Sequence, residues 1–342
     1  ICSTGGLQFK LFKRGIFMGK KPKILVVGSF IMDLIARTTR VPNEGETVVG
    51  FGFSTAPGGK GANQAAQAAL LGADVTMVGK VGCDIFGEEL INSVKKFGIN
   101  TQYIKKDPNS SSGVGNVTLE VKERQKAKNR ILIVPGANMS TTVDEIEFLR
   151  DIISDFDMVM LQLEIPMEVN EAVVDIAFEK GVPVMLNSAP SAPLKDEMIR
   201  KLTYISPNEY EAADLTDVKI KRTDDGVDME SAKEAASVLL NKGVKNVIIT
   251  LGSNGSIFMN HDKFIYQSCI DIVKVVDPTA AGDSFIGAFC TAVCSGKTEE
   301  DALKFASYAA TITVSRMGAQ PSLPNLREVI ELMELDQKQC LA

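Results

Sequence analysis

Tryptophan is absent from this 342-residue chain, and histidine occurs once, at His261. A histidine-built metal site or a Ser-His-Asp triad would have to rest on that single side chain. Long apolar runs are also missing: none approaches the ~18–20 residues of a membrane-spanning helix. Positive charge is not in excess. Thirty-seven basic residues stand against 43 acidic ones, a formal net charge of −6, so no nucleic-acid partner is expected. Cysteine is sparse, and Cys2, Cys83, Cys269, Cys290, Cys294 and Cys340 follow no zinc or disulfide spacing. They read as reduced, mostly buried thiols of a cytoplasmic protein.

What remains is ordinary globular composition: 45% hydrophobic and 23% charged residues supply a large core and exclude disorder. At ~150 residues per domain, the length fits two domains or one large domain with a small appendage. Residues 1–23 stand apart, because they carry six basic residues and no acidic one. Segment 1–22 is expected to be an extension outside the fold, with an organelle-targeting leader as the alternative.

From Lys23 onward, short apolar runs alternate with amphipathic stretches. Strands are expected at 24–27, 74–81, 157–163, 182–187, 204–206 and 247–251. Helices are expected at 62–71, 86–97, 169–180, 231–242 and 286–293, several of them stopped by glycine. This rhythm predicts an α/β fold, with a largely parallel sheet covered by helices on both faces. Two stretches, 46–56 and 113–134, alternate with period two and predict antiparallel hairpins forming a small β lid. The polar stretch 219–228 reads as a surface loop.

Four segments carry candidate chemistry. Asp277-Pro278-Thr279-Ala280-Ala281-Gly282-Asp283 precedes an apolar helix; small residues at a helix N-terminus let a phosphate approach bare N–H groups. Asp283 in that first turn is either a helix cap or a base for an alcohol attacking phosphorus. Gly58-Gly59-Lys60-Gly61-Ala62-Asn63-Gln64 opens an Ala-rich helix, with Lys60 and Asn63 able to bond a polyhydroxylated ligand. It lacks the Ser or Thr of a phosphate-binding Walker loop. Asn208 and Glu211, in Asn-Glu-x-Glu after a strand, are either caps or indirect contacts to Mg2+. Thr250, Leu251, Gly252, Ser253, Asn254 and Gly255 read as a nucleotide-facing turn or an ordinary hairpin.

Taken in order, Gly-Gly-Lys-Gly-Ala-Asn-Gln, Asn-Glu-x-Glu and Ala-Ala-Gly-Asp resemble the ribokinase family of carbohydrate kinases. Gln162-Leu163-Glu164, Asn187-Ser188-Ala189-Pro190 and Gly318-Ala319-Gln320-Pro321-Ser322 add to the likeness, which runs from Lys23 to Leu332. The resemblance implies a ribokinase-like domain over 23–335, a lid at about 40–56 and 110–135, and a C-terminal tail at 336–342. It implies transfer of a phosphoryl group from ATP to the 5-hydroxyl of D-ribose. Asp283 would be the base, and the backbone of Ala280, Ala281 and Gly282 an anion hole. Asp33, Gly59, Lys60, Asn63 and Glu164 would hold the sugar; Asn208, the turn 250–255 and Ser307 would face ATP. Mg2+ would be contacted indirectly by Asn208 and Glu211. A monovalent cation, K+, would lie at Asp277, Thr279, Thr313, Arg316, Gly318 and Ser322. The lid would also join two copies as a homodimer.

Two departures from the family pattern stand out: Pro57 in the glycine loop, and Ile31 where the pattern Gly-Ser-x-Asn-x-Asp has asparagine. The second leaves 2-deoxyribose open as a substrate. A related sugar or nucleoside kinase (deoxyribokinase, fructokinase or adenosine kinase) and a non-catalytic sugar-binding relative are the alternative readings.

Overall fold

The computed structural model describes residues 21–121, 128–223 and 226–341. The expectation for segment 1–22 falls almost wholly outside these residues. Fifteen strands are described: β1 Lys23–Val27, β2 Ile31–Thr38, β3 Gly52–Gly58, β4 Asp74–Gly82, β5 Asn100–Asp107, β6 Gly113–Glu120, β7 Lys128–Val134, β8 Met158–Gln162, β9 Val184–Asn187, β10 Tyr204–Ser206, β11 Arg222–Thr223, β12 Gly226–Val227, β13 Asn246–Thr250, β14 Ser256–Met259 and β15 Phe264–Gln267. The described helices of eight residues or more are α1 Lys60–Leu70, α2 Ile85–Lys95, α3 Met167–Glu179, α4 Glu209–Thr216, α5 Met229–Asn241, α6 Ala281–Cys294, α7 Glu299–Val314 and α8 Leu326–Leu341.

Nine strands form one sheet in the order β15-β14-β13-β10-β9-β8-β1-β4-β5. Pairing is parallel from β13 to β5; β14 and β15 add antiparallel at one edge. The inner strands are apolar runs because both faces are covered, and β8 (Met-Val-Met-Leu-Gln) is buried at every position. One face packs against α1, α6, α7 and α8; the other packs against α3 and α5. Strand order reverses at β1, with β4 on one side and β8 on the other. The crevice beyond the carboxyl ends of β1 and β8 is where an open α/β sheet leaves room for a ligand.

A second sheet, β3-β2-β6-β7, stands outside the body. Its strand β2 was not anticipated from the sequence, because Ile-Met-Asp-Leu-Ile-Ala-Arg-Thr lacks clean alternation. Instead β2 pairs antiparallel with β3 and parallel with β6. The lid boundary at about 40 is corrected accordingly: residues 40–51 carry no strand, since Asn43 and Glu46 close a turn and pairing resumes only at Gly52. Where the second sheet meets the body, the Asn138 side chain ties two crossings together. Its Oδ1 accepts from Phe30 N at 2.9 Å, while Nδ2 donates to the carbonyls of Phe30 (2.7 Å) and Pro135 (2.8 Å).

Two further expectations are revised. The stretch 219–228 contains the short antiparallel pair β11–β12. The tail expected at 336–342 is instead the end of α8, where the Tyr308 hydroxyl donates to Asp336 Oδ2 at 2.5 Å. Among the described residues, no helix is long and apolar enough to cross a membrane.

The contact that matters most for the site is α1 against α6. Alanines at 62, 65, 66 and 68 keep α1 thin, and Gly287 lets α6 come close. A Cβ on Gly287 would lie 2.8 Å from Gln67 Cβ and 2.9 Å from the Gln64 carbonyl. Gly287→Ala should therefore destabilise the protein by about 1–2 kcal/mol, because overpacking costs about 1–3 kcal/mol and outweighs a helix-propensity gain of about 1 kcal/mol. Urea denaturation checks this; a variant as stable as the parent would mean that the helices do not meet this closely.

Candidate functional site

The close crossing of α1 and α6 sets Asp283 beside the first turn of α1. Asn63 Nδ2 donates to Asp283 Oδ2 at 2.9 Å, and Gln64 Nε2 donates to Asp283 Oδ1 at 3.0 Å. Burial pushes the Asp283 carboxyl above the ordinary carboxylate range; the Lys60 ammonium and the two amides oppose that rise. Lys60 would itself be lowered by burial, but the carboxylates of Asp283, Glu164 and Glu211 win and hold it above its ordinary value.

These groups open on a cavity of about 220 Å3. It is lined by Lys60, Asn208, Glu211, Thr250 and residues 280–283, all singled out from the sequence, and also by Asn187, Ala189, Ser206, Pro278 and Ile286. Ala280 takes up the left-handed conformation (φ 60°), a strained backbone for a residue with a Cβ. Ala281 N turns back to the Pro278 carbonyl at 3.2 Å. By helix geometry, the N–H groups of Gly282 and Asp283 have no carbonyl in a preceding turn to bond. A Cβ on Gly282 would meet nothing within 4 Å, so the fold does not demand glycine there.

Asn208 and Glu211 form a capping box on α4: Asn208 Oδ1 accepts from Glu211 N at 2.9 Å, and Glu211 Oε2 accepts from Asn208 N at 2.8 Å. Both also line the cavity, so the capping role and a ligand-facing position coexist. Of the turn 250–255, only Thr250 lines the cavity. Leu251 is fully buried in the core, and Gly252–Asn254 form a single 3-10 turn. Ser307 is also outside the lining; its hydroxyl donates to the Leu303 carbonyl within α7.

A second polar cluster lies where lid and body meet. Glu164 Oε2 accepts from Lys60 N at 2.9 Å and from Ser29 Oγ at 2.5 Å. Asp33, on β2, is raised to about 6 by burial and by the Glu164 carboxylate. Gly115 on β6 makes room for it, since a Cβ there would fall 2.3 Å from Asp33 Oδ1. The same Cβ would lie 3.6 Å from Ile31 Cγ2, so Ile31 and Asp33 share one side of the lid sheet. Gly59 is held at φ 94° with no room for a Cβ, which would lie 2.7 Å from Ile31 N. The glycine loop is thus clamped against residues 29–31.

Of the residues assigned from the sequence to a cation site, Asp277, Thr279 and Gly318 are joined by hydrogen bonds. Asp277 Oδ1 accepts from Thr279 N and Oγ1 (3.0 and 2.6 Å), and Oδ2 accepts from Gly318 N at 2.9 Å. Burial raises the Asp277 carboxyl, but these donors outweigh it and hold it below the usual carboxylate range. Thr313 and Ser322 spend their hydroxyls on the carbonyls of Ala309 and Ala319, and Arg316 pairs with Glu328. By the family resemblance, the ion would be met by this carboxylate and by neighbouring backbone carbonyls, hard oxygens that suit a monovalent cation. Among the described residues, no cluster of three His, Cys, Asp or Glu side chains could hold a metal ion. The oxygens of Asn208 and Glu211 accordingly suit Mg2+ through water rather than as a cage.

Sequence reasoning missed Ser29, Gln64, Asn187 and Gln162 as site residues. Gln64 stands inside the glycine-loop motif and could have been found there. The others also stand inside segments that carry the family likeness (Ser29 in 28–33, Gln162 in 162–164, Asn187 in 187–190), but their hydrogen-bond partners are distant in sequence.

The sequence profile of the "pfkB family carbohydrate kinase" matches residues 21–326. The ribokinase of Schizosaccharomyces pombe is 42% identical over 315 residues, covering 90% of this chain and 96% of that protein. The ribokinase of Bacillus subtilis is 38% identical, covering 91% and 99%. The structure of Arabidopsis thaliana ribokinase complexed with ribose and ATP superposes with a TM-score of 0.83 at 34% identity, covering 92% of this chain and 99% of that one. With a buried aspartate at an open helix end, a glycine loop clamped beneath a lid and likeness over nine-tenths of its length, the chain belongs to the pfkB family of carbohydrate kinases.

Proposed function

We propose that this protein transfers the γ-phosphoryl group of ATP to the 5-hydroxyl of D-ribose, with Asp283 as the general base. The observation that carries the reading is Asp283 itself: a buried carboxylate in the first turn of α6, facing the cavity beside unbonded helix N–H groups. Phosphoryl transfer asks a protein mainly for positioning and charge stabilisation. The sugar hydroxyl would lie against Asp283 and give up its proton as oxygen attacks phosphorus in line. The N–H groups of Gly282 and Asp283, with the backbone around Ala280 and Ala281, would meet the negative charge that develops on the phosphoryl oxygens.

Asp33, Glu164, Asn63, Lys60 and Gly59 would hold the sugar hydroxyls at the lid junction. Thr250, Asn208 and the neighbouring turn would face the nucleotide. Asn208 and Glu211 would hold Mg2+ through water, and the ion would neutralise phosphate charge. K+ at the carbonyl cluster around Asp277 would orient the loop that carries the helix N–H groups. The lid would exclude water that otherwise competes for the phosphoryl group. The exposed apolar side chains Phe51, Phe53, Ile131 and Leu132 suit pairing of two lids in a homodimer. The four described cysteines are unbridged, which suits a cytoplasmic location.

A second reading, 2-deoxyribose as an additional substrate, is favoured by Ile31. It lies beside Asp33 and can neither donate nor accept a hydrogen bond. A pocket that bonds a hydroxyl leaves a polar group unpaired when that hydroxyl is missing, and Ile31 incurs no such penalty.

Three outcomes are expected. Asp283→Asn should lower kcat by ~10²–10⁴-fold in a coupled ATPase assay with ribose; near-normal turnover would remove Asp283 as the base. Replacing K+ with a large organic cation at constant ionic strength should depress the rate, and unchanged turnover after thorough K+ removal would reject the cation site. For Ile31→Asn, the ratio of kcat/KM for ribose to that for 2-deoxyribose should rise above the parent's; equal ratios would take Ile31 out of sugar selection.

A further inference from the structure

Gln64 has no part in the reaction as described, yet its side chain is fully buried and bonded at both ends. Its Nε2 donates to Asp283 Oδ1 at 3.0 Å and to Asn187 Oδ1 at 3.2 Å. Its Oε1 accepts from Gln162 Nε2 at 2.7 Å. Both N–H donors of the amide are therefore spent, one on Asp283 and one on Asn187.

A side-chain amide keeps nearly the same shape when turned end for end. Which end meets Asp283 must be settled by a group that cannot turn. The Ser206 carbonyl, at the end of β10, settles it. A carbonyl oxygen only accepts, and Asn187 Nδ2 donates to it at 2.9 Å. Asn187 Oδ1 is thereby left facing Gln64, and an oxygen there can accept only from Nε2. Gln64 must present N–H groups to Asn187 and Asp283, and its oxygen to Gln162. Gln162 in turn must donate, which leaves its Oε1 buried without a hydrogen bond. Gly28 makes space for that oxygen: a Cβ on residue 28 would lie 2.1 Å from it. The direction of the whole chain, from β10 through the end of β9 to α1 and onto α6, is dictated by one backbone carbonyl.

We propose that Gln64 is a positioning residue for phosphoryl transfer: its orientation, fixed through Asn187 by the Ser206 carbonyl, holds Asp283 as an acceptor aimed at the cavity. Gln64 offers Asp283 a donor and never an acceptor, so it favours the ionised base and gives a captured proton no route inward. The proton stays on the cavity side, where it can leave with product. Asn63 plays the matching part at Asp283 Oδ2. The charged groups facing Asp283 are Lys60 on α1, Glu164 beyond β8 and Glu211 on α4. All three remain in the variants below, so a change in pH dependence reports on the amide.

The inference rests on Asp283 being the base. The test is the pH profile of kcat for ribose phosphorylation in Gln64→Met, which keeps the volume and removes both donors. Plateau kcat should fall about tenfold, and the acidic limb should move up by about one pH unit, the scale of one lost hydrogen bond to a charged group. KM for ribose should change less than about threefold, since Gln64 does not reach the cavity lining. An acidic limb that stays in place overturns the proposal. If Gln64→Met does not yield folded protein, the profile of Asn187→Leu decides, because there Gln64 is present but its orientation is no longer dictated. The same upward movement, smaller in size, is expected, and its absence is equally fatal. Asp283→Asn separates the two levels. Normal turnover in that variant removes the base itself. An inactive Asp283→Asn together with an unmoved Gln64→Met profile removes only the role given to Gln64.

Discussion

A carboxylate taken out of water must be met by hydrogen-bond donors or opposite charge, or it costs several kcal/mol. Asp283 is such a group, and much of the body of this protein can be read as the means of meeting it. Two amides from one turn of α1 reach its two oxygens, and an ammonium from the start of the same helix faces it. That is feasible only if α1 and α6 cross closely. The alanines of α1 and Gly287 of α6 are consequences of that requirement, and so is the buried contact from Ser284 Oγ to Gln67 Oε1 one turn further along. The polar groups lie on the side where the sheet changes strand order, so the apolar faces of both helices remain free to cover it.

The lid is built on a different principle. Its inward side carries one carboxylate, Asp33, which burial and the nearby Glu164 carboxylate in the body hold above the ordinary range. In the function proposed above, sugar hydroxyls would donate to these carboxylates and take the place of water at the junction. The lid strands leave the body through glycines, the fork of Asn138 and an apolar anchor, Phe30 and Met32, that is fully buried in the core.

Much of the architecture was legible in the sequence because parallel strands covered on both faces are written as unbroken apolar runs. Ile24–Val27 and Met158–Gln162 are examples, with glycine stops after α3 and α5 marking the helices between. The two glycine-bearing loops were legible as tight turns at helix starts from their small residues. Strand β2 was not, because apolar residues on both of its faces hide the alternation that marks a lid strand. The position of Asn138 was not, because Phe30, which it bonds twice, is more than 100 residues distant. Gln64 shows the limit most clearly: its neighbours in sequence declare a ligand loop, but its own role depends on a carbonyl at residue 206 and a carboxylate at residue 283.

The wide separation of these partners also bears on how the protein is made. Asn63, Gln64 and Gln67 emerge from the ribosome long before Asp283, Ser284 and the Pro324 carbonyl that complete their hydrogen bonds. Until about residue 325 has been synthesised, the amides of Asn63 and Gln67, and one donor of Gln64, lack the native partners they face in the interior. A nascent chain can assemble β1, β4, β5 and the lid, yet it cannot seat α1 firmly without leaving those amides dry and unpaired. The last quarter of the chain therefore acts as a seal on the first. Premature termination anywhere before α6 should produce a species with an exposed, Ala-rich helix, which cellular proteases can recognise, rather than a smaller folded domain.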